Sequence, residues 1–221
     1  MMRSFRTLIA VAALGCAAAT MPGAANAAMD SREALSLLER AKSGDTTAVD
    51  SLRQQAEAGD PIGQTALATV YLAGIGGVTQ DDAEAVRWTR MAAEQGFAPA
   101  EYDLALLYFT GRGIAKNDAE SAKWLQKAAD KGIPPAQNNL GLLYAVGQGV
   151  PKDMKKAAAL FRKAADQGFA EAQNNLGVLY ANGDGVKKDT KEALKWFQKA
   201  AAQGHPGAQQ NVQRVQQTKA Q

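Results

Sequence analysis

Between Pro61 and Gly204 the apolar positions follow one pattern four times over. Tyr71, Tyr108, Tyr144 and Tyr180 lie 37, 36 and 36 residues apart. The pairs Ala92-Ala93, Ala128-Ala129, Ala164-Ala165 and Ala200-Ala201 keep a spacing of 36, as do Gly96, Gly132, Gly168 and Gly204, and Trp88, Trp124, Leu160 and Trp196 share the period. Self-similarity of this kind marks a repeat architecture, in which each unit buries its apolar face on its neighbours. The single 37 comes from one extra glycine in Gly74-Ile75-Gly76-Gly77.

Each unit reads as two helices. In the second copy Leu104, Leu107 and Tyr108 recur at i, i+3 and i+4, one face of a helix, and Gly111 follows where a left-handed residue would stop it. After Gly111-Arg112-Gly113-Ile114 the second helix begins at Asn117, whose counterparts Asp81, Asp153 and Asp189 are good acceptors for first-turn N–H groups. It carries Ser121, Trp124, Leu125, Ala128 and Ala129 on one face and ends at Gly132. Ala68, Ala105, Gly141 and Gly177 share one position of the first helix. Close backbone approach is expected where they meet the paired alanines of the second. The tryptophans and tyrosines, fixed in helical phase, are expected to be core residues.

The stretch A-Q-N-N-L-G-L-L-Y-A-V-G-Q-G-V-P-K-D from Ala136 to Asp153, followed by A-A-L-F-R-K-A-A-D-Q-G from Ala158 to Gly168, closely resembles the Sel-one-like repeat, a relative of the tetratricopeptide repeat. Further copies run from Ala172 to Gly204, from Ala100 to Gly132 and, more weakly, from Gly63 to Gly96, where Thr65-Ala66 replaces Asn-Asn. The expected units are 61–96, 97–132, 133–168 and 169–204. The resemblance implies an all-α fold, a right-handed α/α solenoid of helix-turn-helix repeats with the first helices on its concave side.

The flanks read as caps, since terminal units need a more polar outer face. Residues 28–60 predict an amphipathic helix pair, Asp30 to Lys42 and Asp45 to Ala58, offering Leu35, Leu38 and Leu52 to the stack. Residues 205–221 predict another first-type helix, with Val212 and Val215 aligned to Leu176 and Leu179. About eleven helices are expected in all.

Residues 1–27 read as an address. A basic start (Arg3, Arg6), an apolar run from Leu8 to Ala19, the breaker Pro22-Gly23 and the A-x-A pattern Ala25-Asn26-Ala27 predict a cleaved secretory signal. A periplasmic or secreted protein without an integral membrane segment is therefore expected, because the run falls short of the roughly 20 residues of a span. The rival is a lipoprotein anchored through Cys16, but Ala13 stands where a lipobox wants a large aliphatic residue. Cleavage near Ala27 would leave 194 residues with 23 basic and 22 acidic side chains and no cysteine. That predicts no disulfides, and the near-neutral charge disfavours nucleic acid as a partner.

The chemical inventory is thin. The chain contains no G-x-S-x-G elbow, H-E-x-x-H helix, S-x-x-K pair or G-x-x-x-x-G-K loop, and its single histidine, His205, lies in a turn. The G-x-G triplets at Gly111, Gly147 and Gly183 recur once per unit with no strand before them, so they read as turn chemistry. No catalytic residue, metal site or cofactor is assigned. Some cysteine-rich relatives of the resembled family have been described as β-lactamases. That alternative is disfavoured without their cysteines or an S-x-x-K.

The remaining reading is a protein-interaction scaffold, regulatory or concerned with envelope assembly, whose concave groove holds a protein or peptide. Subtracting packing positions from the first helices leaves an outer stripe: Thr65, Thr69 and Leu72; Tyr102, Leu106 and Phe109; Asn138, Leu142 and Ala145; Asn174, Val178 and Ala181; Gln210, Arg214 and Gln217. Tyr102, Leu106 and Phe109 are expected to form one exposed apolar stripe, and Asn138 and Asn174 to pair with a partner's backbone amides. Packing of Leu106, Leu142 and Val178 against neighbouring helices is the competing reading. Lys116, Lys152, Lys187 and Lys188 form a loop-edge row that could meet an anionic cell-surface polymer. No pattern assigns an oligomeric state.

Overall fold

A computed structural model describes residues 29–219, so the expected signal segment and Cys16 lie outside the described residues. Within them are eleven α-helices and no strand: α1 (Ser31–Lys42), α2 (Thr46–Glu57), α3 (Pro61–Ala73), α4 (Asp82–Glu94), α5 (Ala98–Thr110), α6 (Asp118–Asp130), α7 (Pro134–Val146), α8 (Met154–Asp166), α9 (Ala170–Asn182), α10 (Thr190–Ala202) and α11 (Pro206–Lys219). The protein is an all-α repeat solenoid. Its backbone falls into two compact units, divided between Trp124 and Leu125.

Two turns, built the same way each time, set the helix boundaries. The turn within a repeat closes on a tyrosine: the carbonyls of Tyr71, Tyr108, Tyr144 and Tyr180 accept from the backbone N–H of Asp81, Asn117, Asp153 and Asp189 at 2.8–3.0 Å. These four then cap the second helix. Asp81 and Asp189 each accept from two first-turn N–H groups, Asn117 does the same, and Asp153 accepts from Lys156. The turn between repeats closes on the alanine pair. Ala92, Ala128, Ala164 and Ala200 accept from the N–H of Phe97, Ile133, Phe169 and His205, while the following alanines accept from Gly96, Gly132, Gly168 and Gly204. These glycines all have positive φ, as such a helix stop requires. The alanine pairs therefore serve twice, with carbonyls in the turn and methyls in the core.

In the first unit the cap helices join the core. Leu38 and Leu52 are buried with Leu67, Val70, Val86, Trp88 and Leu107, and Leu35 packs against this cluster half-buried. Asp60 caps α3 through Ile62 and Gly63 and also accepts from Met29 N–H at 2.9 Å, tying the start of the described chain to the first repeat. Arg112 in the turn of the second repeat bonds Asp82 at the start of α4 and the Leu72 carbonyl near the end of α3. That contact holds the Asp82 carboxyl below the usual carboxylate range.

In the second unit Phe161, Leu176, Leu179 and Trp196 anchor one cluster, and Phe197 and Val215 another, against which Val178 and Val212 pack. The small first-helix positions need one correction. A β-carbon on Gly141 would lie 2.8 Å from the Phe161 ring, and one on Gly177 would lie 2.6 Å from that of Phe197. Here the close approach accommodates a phenylalanine of the second helix, not its alanine pair. Trp88 and Trp196 are buried, Trp124 is half-buried, and the four repeat tyrosines sit half-buried at the core's edge. The hydroxyls of Tyr108 and Tyr180 accept from Arg90 and Arg162.

Candidate partner-binding surface

The first helices carry two polar ladders with different tasks. One is a clasp that the sequence did not announce. Gln64, Gln137 and Gln173, all buried, donate to the carbonyls of Ala56, Ala129 and Ala165 at 3.1–3.2 Å. Their side-chain oxygens accept in turn from Gln95, Gln167 and Gln203 at 2.8–2.9 Å. Each clasp thus bonds both the preceding repeat boundary and the one that follows. A buried amide satisfied on both sides is well spent, whereas an unsatisfied one would cost stability.

The second ladder is made by the asparagines expected to meet a partner. Asn175 donates to Asn138 Oδ1 at 2.9 Å, and Asn211 donates to Asn174 Oδ1 at 3.0 Å. Asn138 is 5% exposed and Asn174 half-buried. These oxygens join successive first helices to one another, which corrects the expectation that they serve a partner's amides.

In the first unit, Thr65 is 2% exposed and its hydroxyl donates to the Pro61 carbonyl; Thr69 donates to the Thr65 carbonyl. Leu72 is buried and Leu106 is 6% exposed. The continuous apolar stripe expected through Leu106 is therefore interrupted, because that leucine is consumed by packing. Tyr102 and Phe109, on either side, are half-buried, and Lys116 Nζ lies 5.7 Å from the Phe109 ring centre. Beside them Asp103 is half-buried, and burial pushes its carboxyl up to about 8. Asp103 aligns with Asn139 and Asn175 of the later repeats, so an ionisable group stands where the neutral amide is used elsewhere.

In the second unit, Leu142 and Val178 are half-buried against the clusters of that unit, while Gln210 and Arg214 are exposed. Val178 and Arg214 come together with Ala181, Asn182, Phe197, Asn211 and Val215 around a cleft of about 150 Å³ between α9 and α11. Its floor is apolar and its edge carries a guanidinium and carboxamides. Of the fifteen stripe residues, Val178, Ala181 and Arg214 line this cleft, whereas Thr65, Thr69, Leu72, Leu106 and Asn138 are buried.

The other nominated features keep simple geometry. Lys116, Lys152, Lys187 and Lys188 are exposed, with Lys116 3.6 Å from Asp118. His205 Nδ1 accepts from Ala208 N–H at the start of α11. The triplet glycines have positive φ in turns. Among the described residues no group of three His, Cys, Asp or Glu side chains is placed to hold a metal ion, and no helix is long and apolar enough to cross a membrane.

Comparison with known proteins follows from this geometry. The Sel1 repeat model matches four times, over residues 61–97, 98–133, 134–169 and 170–205. A Sel1 repeat protein from Oxalobacter formigenes is 42% identical over 77% of this chain and 49% of its own, with a TM-score of 0.71. A protective antigen of uropathogenic Escherichia coli strains, displaying an SLR fold, is 43% identical over 71% of this chain and 33% of its own, with a TM-score of 0.69. The chain thus spans about half and a third of these two structures. An immunity protein from Pseudomonas aeruginosa is 25% identical over 80% of this chain and 68% of its own, with a TM-score of 0.51. No curated protein matches significantly. Sel1 repeat proteins generally act as protein-interaction scaffolds, and the fold is typically non-catalytic. The four matched repeats, their glycine-closed turns and these structural likenesses together assign the chain to the Sel1 repeat family.

Proposed function

We propose that the protein is an exported adaptor, released into the periplasm or beyond by cleavage near Ala27, that holds a protein or peptide partner on its first-helix surface. The observation that carries the binding part is the cleft between α9 and α11, where Val178 and Arg214 meet above Phe197. An apolar side chain of a partner would enter it, and a carbonyl or carboxylate of the same segment would accept from Arg214. Tyr102 and Phe109 offer the first unit's aromatic contact area. The export part rests on the basic, apolar and A-x-A pattern of residues 1–27.

Two measurements test this reading. A photo-crosslinking amino acid placed at residue 214 in cells should give a discrete adduct that is absent when the probe replaces Gln198, exposed on α10. Equal labelling at both positions counts against the cleft. Mass spectrometry of the periplasmic fraction should find a chain beginning at Ala28; an intact precursor confined to the cytoplasm refutes the address. The exposed loop lysines support a second reading, contact with an anionic surface polymer, which would show as salt-sensitive retention on such a polymer.

A further inference from the structure

One position of the second helices departs from the repeat's own rule. Trp88, Trp124 and Trp196 are aligned, but the third repeat has Leu160 there. In the fourth repeat Trp196 is 2% exposed and its indole N–H donates to Glu192 at 2.8 Å. Lys199 Nζ lies 4.2 Å from the ring centre, the Arg162 guanidinium 5.0 Å and Lys195 Nζ 5.9 Å. Arg162 also donates to the Tyr180 hydroxyl. The indole is thus held in a cage of cations, a carboxylate and a tyrosine.

The third repeat lacks the indole and keeps two residues of the cage, Tyr144 for Tyr180 and Lys163 for Lys199. A cleft of about 250 Å³ opens there, lined by Gln126, Tyr144, Lys156, Ala159, Leu160 and Lys163. Moved along by the repeat period, these six are Arg162, Tyr180, Glu192, Lys195, Trp196 and Lys199, the residues of the Trp196 cage and the indole itself. The cleft is the place of a tryptophan that the chain supplies elsewhere and leaves out here. Three surrounding positions differ: Gln126 stands for Arg162, Ala159 for Lys195, and Lys156 stands where Glu192 accepts the indole N–H. Lys156 and Lys163 are both exposed on its rim, and α8 carries Lys155, Lys156, Arg162 and Lys163 against Asp166, with Asp153 3.9 Å from Lys156 and Glu192 3.9 Å from Arg162. Lys156 Nζ already lies 5.2 Å from the Tyr144 ring centre.

We infer that this cleft is a docking site for an acidic segment of a partner protein, which inserts a tryptophan over Leu160 between Tyr144 and Lys163 and sets a flanking carboxylate on Lys156. The indole takes the place above Leu160 beside Tyr144, and the carboxylate answers the exposed ammonium groups of Lys156 and Lys163. A buried aromatic anchor with charged flanks is the pattern by which a small pocket yields useful affinity. The site is formed by α6 and α8 with Tyr144 of α7, shares no lining residue with the cleft between α9 and α11, and stands independently of the proposed function.

The test uses the purified protein and a labelled peptide, Glu-Glu-Trp-Glu-Glu, in fluorescence polarisation. Replacing the peptide's tryptophan by alanine, or its glutamates by lysines, should each weaken binding by about tenfold or more. Leu160→Trp, which fills the cleft from within, should weaken binding by a similar factor. Lys156→Glu with Lys163→Glu, both on exposed side chains, should reverse the preference toward Lys-Lys-Trp-Lys-Lys and serves if the filled variant fails to fold. Equal binding of the tryptophan and alanine peptides overturns the proposal. So does undiminished binding by a folded Leu160→Trp protein, an unchanged charge preference in the double variant, or no binding of the acidic tryptophan peptide.

Discussion

Gly177 lies directly beneath the ring of Phe197, so that a β-carbon on residue 177 would stand 2.6 Å from Cε1 and 3.2 Å from the carbonyl oxygen of Ala193. The ring is buried and cannot swing aside without disturbing the cluster around Val215. The aligned pair in the second repeat is Ala105 and Leu125, a larger residue on one helix and a smaller one on the other. Gly177→Ala is expected to cost about 1–3 kcal/mol through overpacking, and Gly177→Leu more. Adding Phe197→Leu to Gly177→Ala should recover part of the loss. Urea unfolding of the full double-mutant cycle checks this, and strictly additive losses would refute the contact.

Gly185 combines two constraints that Gly132 separates. Both have positive φ, +70 and +88, but a β-carbon on Gly185 would meet the Met154 carbonyl oxygen at 2.2 Å, whereas one on Gly132 meets nothing within 4 Å. Gly132→Ala should therefore cost about 1–3 kcal/mol from backbone strain alone. Gly185→Ala should cost visibly more, because its neighbour is backbone and cannot yield. Comparison of the two denaturation midpoints decides it, equal losses being the adverse result.

Asp103 makes stability depend on pH in the less usual direction. Its carboxyl is raised from 3.8 to about 8 by burial, so through that window the unfolded chain is ionised there while the folded chain keeps a proton. Folding takes up that proton, and its contribution to stability declines as pH rises from about 4 to about 8. Asp103→Asn, which restores the residue type of Asn139 and Asn175, removes the penalty. The variant's gain in melting temperature should widen between pH 5 and pH 8. A gain independent of pH would show that burial of the charge is not its source.

The glutamine clasp predicts a loss out of proportion to its size. Gln173→Ala leaves the Ala165 carbonyl without its side-chain donor and Gln203 with one of its two acceptors, the Gly168 carbonyl, and should cost about 1–3 kcal/mol. Gln198→Ala, on an exposed position of the adjoining helix, should stay within about 0.5 kcal/mol. Thermal unfolding of the two variants side by side provides the contrast, and equal effects would remove the clasp from the energetics.

The helix boundaries were legible because they rest on local chemistry. Asp81, Asn117, Asp153 and Asp189 can cap from their own side chains, and glycine at residues 96, 132, 168 and 204 admits the left-handed stop without help from elsewhere. Helical register likewise picked Val178 and Arg214, which do share a cleft. What register could not decide is how much room lies above a residue. Leu106 and Val178 occupy the same position of the repeat, yet one is buried and the other half-buried. The asparagines were misread for a related reason: pairing Asn138 with Asn175 depends on bonds across 37 residues, which composition does not reveal. A signal for the clasp was present in the text, since Gln64, Gln137 and Gln173 keep step with Gln95, Gln167 and Gln203, but polar residues in step are easily taken for a wetted face.

The Gln167–Gln137 clasp bond spans 30 positions and the Asn175–Asn138 bond 37, both close to the length of one repeat. The first closes the third repeat on itself, the second ties that repeat to its immediate neighbour, and neither reaches further. Loosening at one repeat is therefore passed on only from hand to hand within its unit, and fraying begins where a neighbour is missing. The same arithmetic bears on heredity: duplicating a stretch of gene one period long restores both ends of every such bond, so a chain of this design can be lengthened or shortened by whole repeats without inventing a new contact.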